Sequence, residues 1–218
     1  MKSIILSIQP KYVEKILSGE KTIEVRKSCP QETPFKVYVY CTYRTLLYSD
    51  YPNGNDSREI KLGSFKVSSK NNIGHQMNGK VVASFICGKV DDYDMEYYVN
   101  DDNVYKSINR FLLDEEGDEY CLNITSNDEE NPNNCDLLKN SCLTFDELGK
   151  YAGDGINTLY ALHISELSIF EQPKELGEFY TETGTYEDNS FIYWDGKNHY
   201  MKRIKSAPQN FMYCEELI

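Results

Sequence analysis

The stretch GEKTIEVR, Gly19–Arg26, is where the hydrophobic period of the chain changes from helical to extended. Before it, Val13, Ile16 and Leu17 recur at helical spacing behind Pro10, which suits a first helical position, and Gly19 suits the residue just past a helix end. The spacing predicts a two-turn amphipathic helix over Pro10–Ser18, preceded by a short buried strand at Ile4–Ile8. After it, Lys21–Lys27 alternates, with Ile23 and Val25 on one side and Thr22, Glu24 and Arg26 on the other, the period of a half-buried strand. Glu24 and Arg26 then stand roughly 6.6 Å apart on one face, and Lys21 sits at the strand entry. A lysine, a carboxylate and a guanidinium converging beside a helix end suit a polar, planar or anionic ligand. On spacing alone the competing reading is an exposed surface ion pair worth little.

Working outward, Phe35–Tyr43 alternates Val37, Val39 and Cys41 with Lys36, Tyr38, Tyr40 and Thr42, and is expected to pair antiparallel with the Lys21–Lys27 strand. Tyr48–Asn78 carries turn signals at Pro52-Asn53-Gly54 and Asn71-Asn72 around one short strand candidate, Ile60–Val67. Lys80–Val90 is apolar on both faces, as a central strand is. Val104–Leu113 is expected to be a helix within an acidic stretch, and the 128–134 run DEENPNN to be a loop. Thr144 followed by Glu147 is a capping-box pattern for a helix to about Tyr151, ended by Gly153 and Gly155. Thr158–Phe170 reads as a long strand bent near Ser165-Glu166 and closed by Pro173. Thr181–Lys197 is polar and turn-prone, and the tail from Ile204 returns through Pro208 to Tyr213. Many short strands with one early and one late helix predict an α+β domain around a small mixed or antiparallel β-barrel.

The 218 residues carry a formal charge of −12, which argues at first against a polyanionic ligand. The distribution of that charge removes the objection. Residues 91–136 hold fifteen of the 35 acidic residues against Lys106 and Arg110, so the remainder is close to neutral. Arg58–Lys89 and Lys197–Lys205 are basic segments on that neutral body, although neighbours in sequence need not share a surface. The seven cysteines form no CxxC pair and read as reduced, mostly buried thiols; no metal and no cofactor is expected. The apolar run at Ile4–Ile8 is too short for a signal peptide or a spanning helix, so no membrane association and a cytoplasmic location are expected.

Taken together, the motifs resemble the ASCH domain family of PUA-like proteins, whose signature G-x-K-x-x-E-x-R is matched by Gly19, Lys21, Glu24 and Arg26. Further matches follow in order: Tyr38–Thr42 (YVYCT), Gly79–Phe85 (GKVVASF), Leu143–Ala152 (LTFDELGKYA), Leu159–Leu167 (LYALHISEL) and Ala207–Leu217 (APQNFMYCEEL). The resemblance implies one PUA-like barrel over residues 1–218 of bacterial or phage type, with the early helix at its side and a helical, acidic insertion. The insertions fall at about 44–78, 91–140 and 181–200. It also implies a cleft beside the signature that binds RNA, a nucleotide or a modified nucleoside, with Lys21, Glu24 and Arg26 reading the ligand and Thr42 and Gln209 as wall residues. The tail departs from the family where Asn210-Phe211 stands in place of an expected Ser-Trp.

Some small members of the wider family are amidohydrolases that deacetylate N4-acetylcytidine with a Lys and a Thr in this stretch and a distant Glu. Lys21 matches that Lys, while Glu24 stands where the Thr would be, and Glu147 is the candidate for the distant acid. If the chain is an amidohydrolase or an RNA-processing hydrolase, Lys21 and Glu24 are its catalytic candidates. A third reading makes the acidic 91–136 stretch a docking element for a basic protein partner. His75, His163 and His199 lie in no mutual ligand spacing, and His163 reads as a satisfied or surface residue. Tyr38, Tyr40 and Tyr43 are candidates for base stacking, against the commoner packing role.

Overall fold

The computed structural model describes residues 1–42, 60–62, 65–67, 77–100, 103–125, 136–183, 191–194 and 199–216. In chain order the elements are β1 (Lys2–Ile8), α1 (Pro10–Leu17), β2 (Ile23–Arg26), β3 (Phe35–Cys41), β4 (Ile60–Leu62), β5 (Phe65–Val67), β6 (Lys80–Cys87), β7 (Val90–Asn100), β8 (Asn103–Leu113) and β9 (Glu119–Thr125). They continue as α2 (Asp136–Ser141), α3 (Phe145–Ala152), β10 (Gly155–His163), β11 (Ser165–Glu175), a 3-10 turn (Leu176–Glu178), β12 (Phe179–Thr183), β13 (Phe191–Trp194), β14 (His199–Arg203), β15 (Phe211–Tyr213) and β16 (Glu215–Glu216). Short helices on mixed and antiparallel sheets make this the α+β class expected. The turns at 52–54 and 71–72, the 128–134 loop, residues 184–190 and 195–198, Tyr43 and His75 lie outside the described residues.

Two compact units divide the chain: Met1–Gly19 with Pro34–Cys87 and Ser165–Ile218, and Glu20–Thr33 with Gly88–Ile164. In the first, the sheet order is β11-β6-β3-β1-β15, with β1 and β3 parallel and the other pairs antiparallel. Its middle strands β3 and β6 are buried along most of their length. Ile5, Tyr38, Val81, Phe179, Ile204 and Cys214 pack together, with the Phe179 ring edge-on to Tyr38 at 4.8 Å. The helix α1 begins at Pro10, buries Val13, Ile16 and Leu17, and ends where Gly19 takes φ +78°.

The expected antiparallel pairing of the Lys21–Lys27 and Phe35–Tyr43 strands does not form: β3 lies between β1 and β6, and β2 pairs with β10. A strand buried on both sides is better satisfied between two apolar neighbours than in a hairpin with a strand as short as β2. Similarly, the Thr158–Phe170 strand is two strands, broken at Ile164, with Glu166 at φ +47°. Pro173 does not close the second of them; it falls within a register shift of the β11–β6 pairing, where a missing N–H is tolerated.

In the second unit the antiparallel order is β2-β10-β7-β8-β9. Val104–Leu113 is therefore strand β8 rather than a helix. It carries the strand-favouring residues Val104, Tyr105, Ile108 and Phe111, and Ile108 lies between Met95 and Ile124 of the flanking strands. One face of this sheet contributes Ile23, Val25, Tyr93, Met95, Ile108, Ile124, Leu159 and Ala161 to a core closed by Leu137 and Leu138 of α2 and Phe145, Leu148 and Ala152 of α3. The capping box holds as expected: Thr144 Oγ1 accepts the Glu147 N–H at 3.1 Å and Glu147 Oε2 accepts the Thr144 N–H at 3.2 Å.

Of the described cysteines, Cys41, Cys87 and Cys214 are buried, Cys29 and Cys142 half-buried and Cys121 exposed, and none of them is in a disulfide. Burial pushes the Cys41 and Cys214 thiols up to about 12, so both stay protonated at neutral pH. No helix among the described residues is long and apolar enough to cross a membrane.

Candidate functional site

The alternation of β2 places its apolar and charged residues on opposite faces, but both faces are buried. Ile23 and Val25 enter the core, while Glu24 and Arg26 are 6% and 7% exposed and Lys21 is 2% exposed. The surface ion pair read from spacing alone is therefore overturned. Glu24 Oε1 lies 2.9 Å from Arg26 Nη2 and Glu24 Oε2 lies 3.3 Å from Lys21 Nζ, so one carboxylate ties together two cations.

The position of Lys21 follows from a helix end. Helix α2 finishes with its last carbonyls facing β2; the Thr22 N–H donates to Asn140 O at 2.9 Å and the Lys21 ammonium donates to Ser141 O at 2.7 Å. Terminal helical carbonyls lack intrahelical donors, and a cation there is favoured by charge as well. Lys21 thus bridges the end of α2 and the Glu24 carboxylate from within the protein.

A second charged cluster lies in the same unit. Asp91, 6% exposed, receives Arg110 Nη2 on Oδ1 at 2.5 Å, while its Oδ2 lies 2.7 Å from His163 Nε2 and 3.0 Å from Lys89 Nζ. Burial raises the Asp91 pKa, but the hydrogen bonds from His163 and Lys89 and the charges of Arg110 and Lys89 outweigh it, leaving the carboxyl below its ordinary value. His163 is thus a satisfied, partly exposed residue, as its lack of ligand spacing suggested. Sequence reasoning does not single out Asp91 or Ser141; His163 stands 72 positions from the first and Lys21 120 positions from the second.

The other expected site residues belong to the first unit, apart from Glu147. Thr42 follows β3; its N–H donates to Ile8 O at 2.9 Å, and its buried Oγ1 has no hydrogen-bond partner among the described residues. Gln209 is exposed on the tail before β15. Tyr38 is buried in the first unit's core, so its ring is engaged in packing rather than offered to a base. Glu147, the candidate distant acid, serves as the third residue of the α3 capping box. Within the first unit a cavity of about 760 Å³ is lined by Lys2, Thr181, Phe211, Tyr213 and Glu215 among others, and none of the signature residues reaches it.

No protein-family model matches the chain, and no curated protein matches it. Among solved structures, an ASCH protein from Zymomonas mobilis is similar at 13% identity and a TM-score of 0.38, over 79% of this chain and 70% of that one. A likeness that distant does not decide the family, and the ASCH resemblance stands on the signature residues themselves.

Proposed function

We propose that Lys21, Glu24 and Arg26 form the ligand-reading end of a binding site for RNA, a nucleotide or a modified nucleoside. The observation that carries this reading is the burial of all three on one short segment, joined through a single carboxylate. Buried ion triads contribute little to stability, since apolar residues of similar volume hold a core as well or better. Two cations on one carboxylate leave a formal excess of one positive charge, which suits a phosphate or the acceptor edge of a base.

The test compares the full chain with the variant Lys21→Met/Glu24→Leu/Arg26→Met, which removes every charge of the triad together and so leaves none orphaned. Calorimetric titration with short RNA, nucleotides and nucleosides is expected to show binding that the variant loses while it still unfolds cooperatively, with only the modest loss of stability due to the Ser141 carbonyl that Lys21 no longer satisfies. Unaltered affinity in the variant would sink the proposal. The hydrolase reading ranks second, because the Glu24 carboxylate is engaged by two cations rather than standing free as a base. Incubation with acylated nucleosides such as N4-acetylcytidine, scored by mass, separates the two: loss of about 42 mass units, one acetyl group exchanged for hydrogen, would move the hydrolase first.

A further inference from the structure

Strand β9 is the outer strand of the second unit's sheet, and its outer edge is unpaired among the described residues. The hairpin it makes with β8 is closed by hydrogen bonds at its tip: Asp114 N–H donates to Asp118 O, Gly117 N–H to Asp114 O, and Asp114 Oδ1 accepts from the N–H groups of Glu116 and Asp118. Gly117 supplies the φ of +89° the turn requires. Yet this closed hairpin end exposes large apolar side chains in both directions. Phe111 and Leu113 are 64% and 66% exposed, and Tyr120 and Leu122 are 49% and 41% exposed. The register sets Phe111 opposite Cys121 on one face and Leu122 opposite Arg110 on the other. Apolar area left in water on a hydrogen-bonded element is stabilisation forgone until a partner covers it.

Charge selects the partner. Between Phe111 and Thr125 there is no basic residue, and Asp114, Glu115, Glu116, Asp118 and Glu119 surround the tip. A second copy of this chain would bring another acidic hairpin and no cations to the edge, and RNA would meet the same repulsion. We propose that the end of the β8–β9 hairpin is a docking surface for an extended segment of another protein that alternates apolar residues with Lys or Arg. The segment adds as a strand to the β9 edge, where main-chain hydrogen bonds hold it, its apolar side chains cover Phe111 or Leu122, and its cations face the acidic tip. This proposal is independent of the ligand reading at Lys21–Arg26.

The test uses the full chain and labelled peptides of alternating Lys and Val, or Glu and Val, with fluorescence anisotropy at low and high salt, and sedimentation velocity of the protein alone. The Lys/Val peptide is expected to bind with an affinity that falls as salt rises, and to lose about tenfold or more in Phe111→Ser/Leu122→Ser. A second variant, Glu115→Gln/Glu116→Gln/Glu119→Gln, keeps the Asp114 turn and is expected to weaken binding and flatten its salt dependence. Absence of binding by the Lys/Val peptide, equal binding of the Glu/Val peptide, displacement by a short RNA, or a concentration-dependent dimer abolished by Phe111→Ser would each overturn it.

Discussion

Glu24 is a carboxylate whose removal should cost far more than its presence contributes. In Glu24→Ala the Lys21 and Arg26 charges remain buried after losing their common partner, and breaking a buried ion pair from one side typically costs about 3–5 kcal/mol. Urea unfolding at neutral pH should show a loss of that size, against a smaller one for Lys21→Met/Glu24→Leu/Arg26→Met, which orphans no charge and leaves only the Ser141 carbonyl without its Lys21 donor. If both variants are equally damaged, the triad is a structural strut and its claim on a ligand weakens. Asp91 allows a separate prediction from acid. Because its folded-state pKa is lowered, its charged form stabilises the fold fully above about pH 4, the ordinary carboxylate value, and that stabilisation is lost as pH falls through the folded-state pKa. Asp91→Asn should therefore lie well below the parent in stability at pH 7, and the gap should narrow below about pH 4 in parallel urea titrations. A gap independent of pH would mean that the lost contacts, not the charge, carry the effect.

Helix α3 rests on β7 at one point of very close approach. A Cβ built on Gly149 would stand 2.2 Å from Cδ2 of Tyr97, so the glycine is a packing requirement rather than a conformational one. Gly149→Ala, ordinarily favourable in a helix, should instead destabilise by about 1–3 kcal/mol through overpacking; urea unfolding checks it, and Gly149→Ala/Tyr97→Leu should recover part of the loss. This contact also marks what the sequence can reveal. Helix α1, the capping box of α3, the central strand β6 and the returning tail strand β15 are legible because each is written in residues within a turn or two of one another. The partner of β2 is not, since strand pairing depends on residues more than a hundred positions away, and neither is the burial of its charged face. The same distance hides Ser141 from Lys21. Val104–Leu113 suggests a helix because Val104, Ile108, Phe111 and Leu112 fall at helical spacing, and only the pairing of Ile108 with Met95 and Ile124 overrides that local pattern.

The chain passes between its two compact units at Gly19, Thr33, Cys87 and Ile164, so each unit is assembled from separate stretches. For the second unit the small stretch is not optional. Glu20–Thr33 supplies Ile23 and Val25 to the core, the edge strand that covers β10, and the donors that satisfy the end of α2. Gly88–Ile164 by itself would keep the β7–β9 meander and both helices but would bare Leu159 and Ala161 and leave two helical carbonyls without their donors. The expressed fragment Gly88–Ile164 should accordingly hold strand content by circular dichroism yet bind a hydrophobic dye and lack dispersed side-chain resonances, the signature of lost packing. Addition of the Glu20–Thr33 peptide in trans should restore dispersion, and a peptide carrying Ile23→Ser and Val25→Ser should not. Full dispersion in the fragment without any peptide would show that the signature segment is dispensable for packing. Its buried charges would then be left with ligand recognition as their remaining role.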